Sequence, residues 1–259
     1  MMNPIILYDN GLLNYNTISV SSTASGYNKF NTLDARLFTG WKPNSAGSNY
    51  IQYEFTAENT FDTLGIAGHN LNTCNATIKL EAYNLEILTW TTLINNFTVS
   101  NDYDFLKTFE NEDTGNNYYK LSITTSSVAP ELAVVFIGNR LTMEYPPDAP
   151  FIPITETMTS ETQVNERGYM LGIVQSMTTV KCNHSFSYLT QSFIDNYYMP
   201  FWNNHAKLRK DLFYSWDNQN FPENCIYGRF SSDYVLEMNK SILNYVDSLM
   251  VVVEGVRNA

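Results

Sequence analysis

Apolar and polar residues alternate with a period of two through much of the first half of the chain. In YIQYEF, Ile51, Tyr53 and Phe55 point one way, and Gln52 and Glu54 the other. TIKLEAY sets Ile78, Leu80 and Ala82 against Lys79 and Glu81, and YKLSIT sets Tyr119, Leu121 and Ile123 against Lys120 and Ser122. Leu132, Val134 and Phe136 of LAVVF form one further face. A period of two gives each strand one buried and one wetter face, as in antiparallel sheets. Clusters of Gly, Asn, Ser and Pro separate these runs, as in GWKPNSAGSN from Gly40 and ENEDTGNN from Glu110. No helical period of useful length occurs before residue 145. Many short strands at this spacing predict a sandwich or jelly roll.

The pattern breaks at EYPPDAPFIP, Glu144–Pro153, which holds four prolines. Proline cannot donate to a ladder and disfavours helix at the residue before it, so this stretch predicts an extended linker or a surface strap. The expected domains are therefore 1–145 and 146–259. Beyond the break, Tyr169–Val174 and Met177–Phe186 predict a hairpin. A helix is expected over 190–210, capped by Thr190, with Phe193, Ile194, Tyr197, Tyr198, Phe201, Trp202 and Leu208 at helical spacing. Pro200 should kink it, or open a second helical piece at its first position. LFYSW, CIYGRF, YVLEM and YVDSLMVVVEG read as strands. The whole chain is expected to be mainly β, with one main helix.

Composition adds limits. The chain has 259 residues, 44% hydrophobic and 16% charged, enough for sizeable cores without disulfide or metal staples. Its 15 basic and 26 acidic residues give a net charge of −11, which argues against direct binding of nucleic acid. The one basic cluster, Lys207, Arg209 and Lys210, fits a helix C-terminus. Three dispersed cysteines, Cys74, Cys182 and Cys225, argue against a disulfide framework. MMNPIILYDN lacks the basic and long apolar regions of a signal peptide, and no apolar run approaches the roughly 18 residues of a membrane span. Folding in a cytosol, with no membrane partner, is expected.

Candidate chemistry is sparse. Cys182 and His184 share a strand face, but a single such pair is half a zinc site, so no metal or cofactor is expected. No nucleophile elbow, Walker loop or dinucleotide fingerprint is present. Asp102 with Asp104, and Glu110, Glu112 and Asp113, read as solvated loop charge rather than as a catalytic pair. No catalytic residue and no enzymatic activity are expected. In GIAGHNLN, His69 and Asn70 end a strand, where locking a loop is favoured over touching a ligand. Should the first domain bind a ligand, Trp41, His69 and Asn70 are the candidates, in a shallow pocket with exposed aromatics such as Trp41 or Tyr50. The apolar side chains of the predicted helix spread over more than one stripe, and one packed sheet covers only one. Tyr197, Tyr198, Phe201 and Trp202 are therefore candidate subunit contacts.

Two stretches resemble known families. From Asn16 to Leu85, the succession FNTLDARLFTGWKP, SNYIQYEFTAENTFDTLGIAGHNL and ATIKLEAYN resembles a galactose-binding-like (discoidin-type) jelly roll, with Asp34 and Trp41 in the early loop. From Arg167 to Val256, the order of strands, aromatic helix, DLFYSWDNQNFPENCIYGRF and a final strand is similar to bacteriophage minor tail and distal tail proteins. The residues that carry that likeness are Leu212, Trp216, Pro222, Glu223 and Gly228, with Leu212 in place of the more usual aromatic. The resemblance implies a C-terminal β-sandwich or split barrel with one main helix. It also implies a structural virion subunit of the tail tip, made in the host bacterial cytoplasm. Such a subunit would form a hexameric or trimeric ring that contacts tube, hub and fibre proteins, around an acidic channel. The alternative reading is a carbohydrate-binding module for host-surface glycan.

Overall fold

A computed structural model describes residues 3–85, 88–110, 115–231, 236–238 and 245–257. The strands before the proline-rich stretch are β1 (Ile5–Leu7), β2 (Thr17–Val20), β3 (Gly47–Asn59), β4 (Thr63–His69), β5 (Thr77–Asn84), β6 (Thr89–Phe97), β7 (Phe105–Thr108), β8 (Asn116–Thr125), β9 (Leu132–Gly138) and β10 (Arg140–Thr142). After it come β11 (Thr155–Val164), β12 (Met170–Phe186), β13 (Leu189–Thr190), β14 (Asp211–Ser215), β15 (Cys225–Phe230), β16 (Leu236–Met238) and β17 (Tyr245–Arg257). The protein is mainly β, as its periodicity predicts.

The strands form three antiparallel sheets: a five-stranded sheet β2-β3-β8-β5-β6, a three-stranded sheet β7-β4-β9, and a nine-stranded sheet running β10-β1-β14-β15-β17-β12-β11, to which β13 and β16 add by pairing with β17. The first two make the jelly-roll sandwich. Its core holds Ile51, Tyr53, Ile78, Leu80, Tyr119 and Leu121 from the five-stranded side, and Leu64, Ile66, Val135 and Ile137 from the three-stranded side. The strands that alternate cleanly in sequence, β3, β5 and β8, belong to the five-stranded sheet, whose other face is wet.

The three-stranded sheet is buried on both faces. Its second face carries Ala67, Leu106, Ala133, Val134 and Phe136, clustered with Ile5, Leu7, Phe213, Cys225 and Tyr227 of the nine-stranded sheet. LAVVF is thus a continuously buried strand rather than one alternating face: Leu132 and Val135 point into the sandwich, Val134 and Phe136 toward the larger sheet. The boundary expected at residues 145/146 does not separate self-contained sheets. β1 lies between β10 and β14, pairing Ile6 with Leu141 on one side and Tyr214 on the other.

The opposite face of the nine-stranded sheet is covered by the helical segment: α1 (Gln191–Phe193), a π turn (Ile194–Tyr198), α2 (Met199–Asn204) and a 3-10 turn (Ala206–Leu208). Thr190 caps it, its Oγ accepting from Phe193 N at 3.1 Å, and Pro200 sits in the first turn of α2, where its missing N–H is harmless. The same hydroxyl donates to Glu144 at 2.7 Å. Thr190→Ala should therefore lower the unfolding free energy by about 1–2 kcal/mol in a urea titration, with Thr190→Ser close to wild type. Lys210 reaches back to the Asn204 carbonyl at 3.1 Å, the helix-end role expected of that basic cluster.

Two expectations are corrected here. Tyr169–Val174 and Met177–Phe186 are not a hairpin; they are one long strand, β12, whose partner is β11. The turn lies at Asn165–Gly168, where Asn165 Oδ1 accepts from Arg167 and Tyr169 and Gly168 adopts φ +81°. The helix also keeps most of its proposed contact residues for itself. Tyr198 and Phe201 are fully buried, among Tyr8 and Phe230, and Trp202 is half-buried against Phe230. Of the four, only Tyr197 is open, at 60% exposure. Of YVLEM, Tyr234 and Val235 lie outside the described residues.

Candidate functional site

Loops from both sides of the molecule meet where the sandwich abuts the nine-stranded sheet. The β6–β7 connection runs into the β14–β15 connection and is fastened to it. Glu223 accepts from Ser100 N at 2.9 Å and Ser100 Oγ at 2.5 Å, Leu106 N donates to the Pro222 carbonyl at 3.0 Å, and Asn218 Nδ2 donates to the Leu106 carbonyl at 2.5 Å. Pro222 and Glu223 are therefore joint residues. Trp216 is buried and stacks on Phe221, their ring centroids 5.1 Å apart. Gly228 lies where β15 crosses close to β17: a Cβ there would collide with the Glu254 carbonyl oxygen. Leu212 is fully buried beside them.

Arg257, at the end of β17, is nine-tenths buried. Its guanidinium lies 4.3 Å from the centre of the Tyr103 ring and pairs with Glu156 of β11. Its Nε is buried without a hydrogen-bond partner among the described residues. On one side of this stack opens a cleft of about 690 Å³, lined by Ser100, Asn101, Asn220, Phe221, Glu223 and Asn224 among others. On the other side is a hollow of about 390 Å³ that reaches His69, Asn70, Asp102, Asp104 and Glu131.

The smaller hollow is walled by groups already occupied. His69 Nε2 donates to the Tyr103 carbonyl at 2.8 Å and Nδ1 accepts from Leu71 N at 3.3 Å, which fixes the neutral tautomer. Burial lowers its pKa to about 4, against the opposing pull of the Tyr103 carbonyl and Asp102. Asn70 accepts from Glu131 N at 2.7 Å and donates to the Ala129 carbonyl at 3.2 Å. Both side chains lock loops, the role favoured from sequence. Asp102 receives Asn72 N at 2.7 Å and the Thr73 hydroxyl at 2.5 Å. Trp41, the third candidate, is not exposed at all. It is fully buried, its indole donates to the Ser22 carbonyl at 3.0 Å, and its backbone bridges Leu132 of β9. Tyr50 is half-exposed, on the outer face of the five-stranded sheet.

Asp104 departs from the solvated loop charge expected of it. It is buried and accepts from Tyr227 N at 3.0 Å, across the junction between the sheets. Burial raises its pKa to about 7, moderated by the Tyr227 N–H and by Arg257. Glu110 is exposed, while Glu112 and Asp113 lie outside the described residues. Cys182 and His184 share an inward face, as their spacing predicts, and His184 is held by Tyr214 and by the Ile152 carbonyl at 3.0 Å. Among the described residues no group of three His, Cys, Asp or Glu side chains is placed to hold a metal ion, and no helix is long and apolar enough to cross a membrane.

The larger cleft also has wall groups in use, Glu223, Asn101 and Asn220 among them, but it exposes aromatic surface. Tyr103 and Phe221 flank it at 41% and 48% exposure, presenting ring surface beside amide and carboxylate groups. Neither ring was a candidate from sequence. Both sit in Asn- and Asp-rich loops, SNDYD and DNQNFPEN, and an aromatic in so polar a loop is the available signal. Arg257 gave none, since its partner Glu156 lies 101 residues away.

No protein-family model matches the chain. No curated protein matches it. Among solved structures it is similar over half its length to chitosan-binding module 1 of a Paenibacillus sp. IK-5 chitosanase/glucanase, at 18% identity and a TM-score of 0.42, covering 98% of that module. It is similar to the lectin domain of lectinolysin complexed with Lewis B antigen, at 14% identity and a TM-score of 0.41, over 51% of this chain and 96% of that one. A Ruminococcus gnavus GH29 fucosidase in complex with fucose shares 21% identity over 49% of this chain, with a TM-score of 0.40. The match spans only 25% of the fucosidase. These are partial likenesses of shape.

Proposed function

We propose that the protein is a non-catalytic carbohydrate-binding module. The observation that carries this reading is the 690 Å³ cleft with the Tyr103 and Phe221 rings exposed beside Asn101, Asn220, Asn224 and Arg257. Sugars are recognised by C–H surface laid on aromatic rings and by hydroxyls bonded to amide, carboxylate and guanidinium groups, and such sites combine apolar walls with a few placed polar groups. Catalysis is left aside because Asp102 and Asp104 spend their oxygens on loop and backbone donors. Saturation-transfer NMR with a panel of mono- and disaccharides tests the reading. Transfer to a sugar, with affinity reduced about tenfold in Tyr103→Ala and in Phe221→Ala, is the expected result. No transfer from any sugar, or transfer that both variants leave intact, would overturn it.

A second reading, a structural subunit of a phage tail tip, is favoured by the β11–β12 ribbon. Among the described residues β17 ends its pairing with β12 at Thr178, and the ribbon beyond has two strands. It carries Tyr169, Met170, Leu171 and Met177 exposed. Two-stranded ribbons are marginal alone, and an apolar tip is suited to burial between copies or against a neighbouring tail protein. In this reading the ribbon, rather than the helix, makes the ring contact.

A further inference from the structure

The outer face of the five-stranded sheet carries a second constellation, made of residues that do not line the cleft and built by register. Trp90 of β6 stands directly opposite Tyr83 of β5, and Tyr83 directly opposite Tyr118 of β8. Tyr118 is in turn opposite Glu54 of β3 and donates to it at 3.3 Å. All four point away from the sandwich core, because their neighbours Ala82, Tyr119 and Tyr53 fill it. The ring centroids of Trp90 and Tyr83 are 5.2 Å apart, and those of Tyr83 and Tyr118 5.8 Å. A row of three aromatics thus crosses the strands at the inter-strand spacing.

The adjoining row is polar. Glu81 faces Lys120 across the β5–β8 pair, and Lys120 faces Gln52 of β3. Lys120 Nζ lies 3.1 Å from Glu81 and 4.1 Å from the centre of the Trp90 ring, while Lys79 holds the other Glu81 oxygen at 2.8 Å. Tyr50 completes the face, one step beyond Gln52 on β3. The polar side chains are held in place by one another, so ordering them for a ligand adds little entropic penalty.

Charge selects the occupant. The chain carries −11 overall, yet on this face Lys79 and Lys120 offset Glu54 and Glu81. Neither a polyanion nor a basic partner finds a field to match. An uncharged chain with repeating ring faces and hydroxyls finds aromatic surface at each strand crossing and donors and acceptors alongside. We infer that the Trp90–Tyr83–Tyr118 row is a second binding site, for an extended, uncharged polysaccharide that lies across the strands.

This inference shares the carbohydrate reading but uses different residues, so the two can fail separately. The test is affinity electrophoresis of the full chain in native gels cast with neutral polymers: mixed-linkage β-glucan, glucomannan, xyloglucan and galactomannan. Retardation by at least one is expected. Trp90→Ala, and the double variant Tyr83→Ala with Tyr118→Ala, should each weaken it about tenfold or more, while Trp90→Tyr should retain most of it. Tyr103→Ala with Phe221→Ala should leave it unchanged. These aromatics are exposed or half-exposed, so their loss spares the core; circular dichroism of each variant checks the fold. Retardation by none of the polymers overturns the inference, as does retardation lost in the cleft variant and kept in Trp90→Ala, a result that would leave the cleft reading standing. Sedimentation completes the test: a dimer in the wild type that Trp90→Ala dissociates would show a second copy covering this face, and would overturn the glycan assignment.

Discussion

Phe213→Ala should lower the unfolding free energy by about 3–5 kcal/mol, among the larger losses available to a single substitution. Phe213 is fully buried on β14 and points at the middle sheet. Its ring centroid lies 5.3 Å from that of Phe136 and 4.8 Å from that of Tyr227. Opposite it, β4 has Gly65, where a Cβ would come within 2.9 Å of the ring; the glycine makes the space that the phenyl group fills. Truncation therefore leaves a void between two sheets. Collapse is resisted because the sheets are pinned across the junction, by Asp104 on Tyr227 N and by Leu106 N on the Pro222 carbonyl. The loss should appear in urea titrations followed in parallel by tryptophan fluorescence and far-ultraviolet circular dichroism. The two probes should stay coincident, since the shared core couples the sandwich to the larger sheet. A loss below about 1 kcal/mol, or two separated transitions, would mean that the halves fold independently about the proline-rich stretch.

That coupling is also what sequence could not give. β3, β5 and β8 were legible because their sheet has one wet face, so Gln52, Glu81 and Lys120 mark every second position. β9 was legible as a strand but not as a middle layer: a run buried on both faces has no period from which to read its two partners. β1 has three residues, and its place is set by β10 and β14, more than 130 positions away along the chain. The β11–β12 ribbon was missed for the opposite reason. TETMTSETQV offers no buried face to read, with residues 155–160 exposed one after another, and its turn at Asn165–Gly168 is set by local hydrogen bonds. In the helix, Thr190 and Pro200 announced themselves by chemistry that is local. Which stripe was covered depended on Tyr8 and Phe230, which no helical period reveals. The sites follow the same rule. His69 and Asn70 act on their own loops and could be read, whereas the Trp90–Tyr83–Tyr118 row exists only once the register is set.

Asp104→Asn should change the pH dependence of stability across the neutral range. The Asp104 pKa is raised from 3.8 to about 7, so between those values the folded chain holds a proton that the unfolded chain has released. Its contribution is thus fullest below pH 4 and is lost as the pH rises through 7. The buried histidines act oppositely. His69 is lowered from 6.5 to about 4 by burial, and His184 and His205 are lowered by the same cause. Their contribution is present above pH 6.5 and is lost as the pH falls. In the wild type the two effects oppose each other below pH 6.5, and Asp104 acts without them from 6.5 to 7. Asp104 also accepts from the Gly68 backbone; asparagine keeps one acceptor oxygen but turns an amide N–H toward one of the two backbone donors, a fixed loss of about 1–3 kcal/mol at every pH. It also removes the burial of a charge, a gain that grows with pH to at most about 4 kcal/mol, from roughly three units at about 1.4 kcal/mol each. The variant should therefore be the less stable protein at pH 4.5 and the equal or more stable one at pH 8. Its stability should climb more steeply than the wild type's between pH 4 and 6.5. Urea midpoints measured from pH 4.5 to 8 decide the matter: a difference between variant and wild type that stays flat across that range would mean that Asp104 is an ordinary ionised carboxylate, and that the junction it joins is open to water.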